Sequence, residues 1–474
     1  MKNHMISKAV QSFQEKVANA IGHKIALGTT LALFVFGGML GGVAGAQSAT
    51  TDFVPFGSFI DKTSNADAND YMARPASKVQ DAASFEEMRQ HILNMYQGVE
   101  VNHSFVLGSA HYDCIPEMQQ PAVRKYGLSS IATPPAIPAV AEPTHGGDAN
   151  APRRASVPDE AYPFDTFGNS THCEEHTVAI RRVTLETTSR FPTLKQFFQK
   201  SENEHIPTHQ EYYTPGGTSH KYSTAFQDVD NYGGNSVLND WMPYVDLNAG
   251  EVFSLSQAWY TGGINSGKPP CGGSESCTIQ TEEVGWVVYE AMFGDPYTHF
   301  FIFSTPDGYN SGCWNNGCGD FVVCSSCDGS VIGAQISPTS VTGGAQYESE
   351  VRYFFSGGNW WVQFQSNWVG YYPGSMYNGG QNTKHAQEIS FGTETVGTTK
   401  WGAAGAGQWL SKGYGYAAYQ SYLFYYNTKS AAIWDSLTPD ISSPKCYNIL
   451  GPYYGGSGEW NDYFYDGGPG GTGC

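Results

Sequence analysis

The residues best suited to chemistry in this chain are carboxylates set inside strand-like, otherwise apolar runs. One run is Thr281-Glu-Glu-Val-Gly-Trp-Val-Val-Tyr-Glu-Ala-Met-Phe-Gly-Asp295, and the other is Glu388-Ile-Ser-Phe-Gly-Thr-Glu-Thr-Val396. Two acids brought together from remote strands cannot both ionise cheaply, so one pKa rises and the pair holds a single proton over an acidic range. The ionised member can take a proton from water as it attacks a carbonyl, and the protonated member can donate to the carbonyl oxygen or the leaving group. A strand alternates its faces, so Glu282 and Glu283 point opposite ways. One of them faces an interior or a cleft, and the other is free to sit in solvent. Glu283 shares its face with Gly285 and Val287, and Glu282 with Val284 and Trp286. Alternation alone does not choose between them.

The elements that must position these acids are β-strands. Beyond a Pro/Gly/His-rich break from His205 to His220, short aromatic and β-branched runs are separated by Gly, Asn and Pro turns, a pattern of strands rather than long helices. The clearest hairpin joins Val351–Phe355 to Trp360–Phe364, with Gly357-Gly358 free to take positive φ at the turn. Many short antiparallel strands at this spacing predict a mainly β chain with an antiparallel β-sandwich. Upstream lies a smaller α+β unit. Ser84 reads as an N-cap with Glu87 three residues on, and Phe85, Met88, Ile92 and Met95 recur at helical spacing. Thr177–Val183 reads as a strand and Phe191–Phe198 as a short helix. Between the first helix and that strand, a Pro/Ala-rich linker near 131–158 carries Arg153-Arg154 and predicts an extended, protease-accessible stretch.

Composition bounds the compartment and the partners. The 474 residues carry a net charge of −19, which argues against nucleic acid or an anionic membrane surface as partner. Lys2, Lys8, Lys16 and Lys24 precede an apolar run from Ile25 to Leu40 that ends in Ala44-Gly-Ala46, the parts of a secretory signal peptide over 1–46. Membrane contact is expected only through that segment, and the product is expected to be secreted. The 10 cysteines then read as disulfides. Cys114 and Cys173, the two upstream of Cys271, pair across the linker; the rest fall in close couples, Cys271 with Cys277, Cys313 with Cys318, Cys324 with Cys327 and Cys446 with Cys474. Cys324-Ser-Ser-Cys327 has neither the βαβ setting of a redox motif nor the second ligand pair of a zinc site.

Other chemistries lack their signatures. The chain has no G-x-S-x-G elbow, H-E-x-x-H helix, phosphate-cradling loop or dinucleotide fingerprint. His176, His205, His209 and His220 lie upstream of the β-rich core or at its edge; a metal site built from them would lack an obvious third carboxylate partner at close spacing, and each reads as a surface or prosegment histidine. His299 and His385 read as ordinary polar residues. No metal or cofactor is expected.

Motifs in sequence order give a more specific reading. Tyr112-Asp-Cys-Ile, Gln120-Pro-Ala122 and Cys173 to Arg182 resemble the activation segment of the neprosin family. His220-Lys-Tyr222, Phe253-Ser-Leu-Ser-Gln-Ala-Trp259, Glu283-Val-Gly-Trp286, Phe293-Gly-Asp295, Asp307-Gly-Tyr309, Gly312-Cys-Trp-Asn315, Trp360-Trp361, Gly370-Tyr-Tyr-Pro373, Phe391-Gly-Thr-Glu394 and Gly467-Gly-Pro-Gly-Gly471 resemble that family's catalytic domain. The resemblance implies a glutamic endopeptidase made as a zymogen, with an activation segment over 47–204 and a β-sandwich catalytic domain over 205–474. It implies a protein or peptide substrate, proline-directed cleavage, no metal, and the chain's own prodomain as intramolecular inhibitor. Removal of that prodomain is expected between about Arg190 and His220. The catalytic pair maps onto Glu283 and Glu394, which chooses between Glu282 and Glu283. Gln257 is expected to orient water or hold an oxyanion, with Trp259 beside it and Trp286 as a wall of the substrate groove. Two departures stand out: Thr393 where the family often has Gly, and Trp314 where it often has Tyr. The chain is expected to act as a monomer. A secreted β-sandwich glycoside hydrolase would also use paired carboxylates in an aromatic groove. A carbohydrate-binding module would use the aromatics for sugar stacking and need no glutamate pair.

Overall fold

A computed structural model describes residues 52–140, 163–200, 220–263, 279–327, 331–455 and 460–474. The signal segment, most of the Pro-rich linker, His205, His209, and Cys271 with Cys277 lie outside the described residues.

The N-terminal region begins with helices α1 (Phe56–Ser64), α2 (Ala68–Met72) and α3 (Ala82–Met95). In α3 the cap is Asp81, whose side chain accepts from Ser84 N, so the helix starts before the expected Ser84 cap. The expected stripe holds: Phe85, Met88, Ile92 and Met95 are all buried. Strands β1 (His103–Leu107), β2 (Ala110–Pro116) and β3 (Thr177–Arg181) form an antiparallel sheet in that order. Cys114 pairs with Cys173 across the linker, as expected, at a Cα–Cα distance of 5.4 Å. Behind the sheet, Arg182 Nε donates to Asp113 Oδ2 at 2.9 Å, and Tyr96 and Ser104 also donate to that carboxylate. A buried acid and cation satisfied in this way fix β2 against the chain that follows β3. Helices α4 (Pro121–Tyr126), α5 (Leu185–Thr188) and α6 (Leu194–Phe198) complete the region. The expected Phe191–Phe198 helix is thus shorter, capped by the Thr193 side chain on Gln196 N.

The remainder is mainly β. Strands β4 (His220–Asn239), β5 (Glu251–Gly262), β6 (Gln280–Val288), β7 (Thr298–Thr305), β8 (Cys313–Trp314), β9 (Val322–Val323), β10 (Glu348–Ser356), β11 (Asn359–Phe364), β12 (Asn367–Pro373) and β13 (Ala386–Gly397) come first. They are followed by β14 (Ala418–Asn427), β15 (Ala432–Trp434), β16 (Thr438–Ile441), β17 (Asn448–Tyr453) and β18 (Tyr463–Gly467). These strands form one curled antiparallel sheet, with the path β8-β7-β6-β5-β13-β4-β10-β11-β12-β9. The 20-residue β4 is its hinge: Ser223–Phe226 pair with β13 and β16, whereas Gly233–Leu238 pair with β10 and β14. A strand that long must twist, and the twist carries β10–β12 over β5–β7. The two layers enclose Trp286, Tyr260, Tyr353 and Trp360 in the main core. The hairpin from β10 to β11 forms in the expected register, Phe355 opposite Trp360, with Gly357 and Gly358 at φ 60° and 80°. Cys313–Cys318, Cys324–Cys327 and Cys446–Cys474 also pair.

The other face of β5–β7 and β13 does not meet β10–β12. It packs against the N-terminal region instead: Phe85, Met88, Leu194 and Phe197 share a core with Phe253, Leu255, Phe301, Phe303 and Val396. Both regions lie within one unit, Ala49–Cys474.

Candidate active site

Three strands build the site. Gln257 on β5 sits opposite Gly285 on β6 and opposite Gly392 on β13. Residues directly opposite share a face, so two glycines leave open floor on either side of the amide. Both positions need glycine. A Cβ on Gly392, at φ 145°, would lie 2.3 Å from Ser223 O, and one on Gly285 would lie 2.0 Å from Ser256 O. One pair further along, Glu394 lies opposite Leu255, and Glu283 lies opposite Trp259. Period two therefore raises Glu283, Gln257 and Glu394 on one face, diagonally across the open floor.

That face is the one covered by the N-terminal region, and Lys200 enters it just beyond α6. Lys200 Nζ donates to Glu283 Oε2, to Glu394 Oε2 at 3.0 Å and to Gln257 Oε1 at 3.1 Å. The rings of Phe301, Phe303 and Trp314 surround the same nitrogen at 5.8, 5.3 and 5.7 Å. Lysine, both glutamates and Gln257 are all buried. The chain leading to Lys200 is itself docked, with Gln199 Nε2 donating to Tyr309 O and Asn310 O at 3.0 Å each.

The two carboxylates have different remaining partners. Thr281 Oγ1 and the Tyr309 hydroxyl each donate to Glu283 Oε1 at 2.9 Å. Glu394 Oε1 instead meets His220 Nδ1 at 2.5 Å, and Gln257 Nε2 donates to its Oε2 at 3.3 Å. Burial alone raises the pKa of Glu394, but Lys200 and His220 outweigh it and hold the carboxyl at about 2. His220 is 0% exposed, which corrects its reading as a surface or prosegment histidine. It opens β4, opposite Val396, and shares the face of Glu394.

Residues 250–469 match the family model described as Neprosin. Residues 250–469 form a neprosin-family domain. Membership supports a peptidase of the neprosin type, and the match spans both mapped glutamates, Gln257, Trp259 and Trp286.

Within the neprosin fold, Trp259 is buried on the glutamate face, its ring 6.3 Å from Tyr222. Trp286 is a correction to the expected groove wall. It lies three residues from Glu283, hence on the opposite face, and its Nε1 donates to Asn239 O at 3.2 Å inside the main core. Glu282 is also a correction, because it is 0% exposed rather than solvent-facing. Asn382 Nδ2 donates to both its oxygens at 2.9 and 2.8 Å. Burial nevertheless pushes its carboxyl well above the usual range, in favour of the neutral acid. His299, too, is buried, with Nε2 2.7 Å from Asp295 Oδ1. Sequence reasoning missed Lys200, His220 and Tyr309 as parts of the site; the last two stood inside quoted motifs.

Proposed function

We propose that this chain is the secreted zymogen of an acid-active glutamic endopeptidase, in which Glu283 and Glu394 together activate a water molecule. The observation that carries this reading is the position of Lys200 Nζ, where one nitrogen reaches both carboxylates and Gln257 Oε1. An ammonium nitrogen and a water oxygen are close in size. With Lys200 withdrawn, the same point suits a water held by two carboxylates and an amide. Those carboxylates, without a lysine between them, must share a proton. One removes a proton from water, the other protonates the carbonyl oxygen, and activity is confined to acid pH.

Residues 47–204 act in this reading as the prosegment, the chain's own inhibitor. Lys200 neutralises the pair and fills the water position, while Phe85, Met88 and Phe197 cover the surrounding face. A cut between Lys200 and His220 releases the lysine with the prosegment and leaves His220 on the catalytic domain. Protein or peptide is the substrate, cleavage is proline-directed by family resemblance, and the enzyme works as a monomer without metal. Incubating the purified full-length chain at acid pH tests the reading. The expected result is a loss of mass on a gel followed by cleavage of added protein. An unchanged chain, or hydrolysis of polysaccharide but not protein, contradicts it.

A further inference from the structure

The glutamate pair is built asymmetrically, and part of the asymmetry comes from residues outside the prosegment. The charged and titratable groups facing Glu394 are Lys200 from beyond α6, His220 from β4 and Glu283 from β6; Gln257 on β5 adds a neutral amide. The groups facing Glu283 are Lys200, Glu394 and the hydroxyls of Tyr309 and Thr281, and Glu282, Tyr353 and Tyr372 also act on it electrostatically from the core side. Remove Lys200, and Glu394 keeps a ring nitrogen 2.5 Å from Oε1, while Glu283 keeps two hydroxyl donors. An Nδ1 proton is present in the imidazolium and in one neutral tautomer, and in both it favours the carboxylate over the acid.

We infer that His220 is a positioning residue that keeps Glu394 ionised, making Glu394 the base and Glu283 the proton donor of the pair. The inference rests on the peptidase reading above. In the attack step the water oxygen bonds to the carbonyl carbon and its proton passes to Glu394, while the carbonyl π pair moves to oxygen and takes the proton of Glu283. In the collapse that oxygen returns its proton to Glu283 and the C=O re-forms. The C–N bond breaks as nitrogen takes the proton held by Glu394, and both glutamates are restored.

The enclosure of His220 suits this role. Its ring stacks on Tyr222 at 6.1 Å and meets Phe253 edge-on at 6.3 Å, contacts that favour the orientation in which Nδ1 meets Glu394. Apolar walls also strengthen the coupling between ring and carboxylate.

The test is kcat/KM against pH for matured wild type, His220→Leu, His220→Asn, Glu283→Gln and Glu394→Gln. With His220→Leu, the acid limb, which reports ionisation of the base, is expected to move up by about one to three pH units as kcat falls. His220→Asn carries an amide N–H near the Nδ1 position and is expected to move the limb less, which keeps the test open if the leucine variant does not fold. Superimposable profile shapes for wild type and either folded variant would overturn the inference and leave His220 a packing residue. Active Glu283→Gln or Glu394→Gln would bring down the peptidase site itself, and the inference with it.

Discussion

Lys200 Nζ lies 3.0 Å from Glu394 Oε2, with both groups buried between the N-terminal region and β13. The Glu394 carboxyl is held at about 2, below the free value, by Lys200 and His220 against the cost of burial. A depressed folded-state pKa contributes stability that is present above the free carboxyl value, about 4.3, and lost as pH falls through the folded value. The part of that depression due to Lys200 is lost with the N-terminal region, so acid weakens its docking as pH falls toward about 2.

Replacing Lys200 by methionine is expected to invert that dependence. Two buried glutamates without a cation must take up a proton to stay covered, which favours docking at low pH and opposes it as pH rises. Hydrogen exchange at α6 in the full-length chain measures it. Exchange in wild type should speed up on acidification, and in Lys200→Met on moving toward neutrality. The same pH trend in both proteins would show that Lys200 does not hold the region down.

Stability of the β-sheet should itself favour acid. Burial pushes Asp240 and Asp466 up to about 8, and Glu282 well above its usual range. Raised folded-state values contribute stability that is complete below the unfolded carboxylate pKa and is lost as pH rises through the folded one. The loss over about pH 4 to 8 is on the order of 5 kcal/mol for each of the two aspartates. Thermal unfolding should give a midpoint that is higher at pH 4 than at pH 8 (about these values), and Asp240→Asn with Asp466→Asn should flatten the slope. A midpoint independent of pH would contradict this.

Gly392→Ala should fail for a backbone reason. Its Cβ would sit 2.3 Å from Ser223 O at φ 145°, so β4 and β13 must separate beneath Glu394. A loss of about 3 kcal/mol or more is expected, visible as a lowered unfolding midpoint together with lost activity. A stable, active Gly392→Ala would mean that the spacing of the two strands does not set the site.

The sequence was most legible where the chemistry is local. Alternation put Glu283 with Gly285 and Val287, the α3 stripe named its buried residues, and Gly357-Gly358 announced the β10 to β11 hairpin. The same parity, an odd number of residues from Glu283, stands against the groove-wall reading of Trp286, which the family motif had favoured and the structure overturns. What was not legible depends on register between distant segments. Glu282 is buried because Asn382 reaches it from 100 residues away. His220 joins the site only because β4 pairs with β13 at Val396. Lys200 follows Phe-Phe-Gln as any helix-end cation might stand, and nothing near it in the chain marks two carboxylates as its partners.

The central claim is that Glu283 and Glu394 act as one hydrolytic pair. Its most direct test is cleavage of a denatured, proline-containing protein by the matured enzyme from about pH 2 to about pH 8, in the presence of EDTA and pepstatin, beside Glu283→Gln and Glu394→Gln. Wild-type cleavage is expected to peak at acid pH and to survive both inhibitors, with each glutamine variant reduced by roughly 10²-fold or more. Cleavage undiminished in either variant would contradict it.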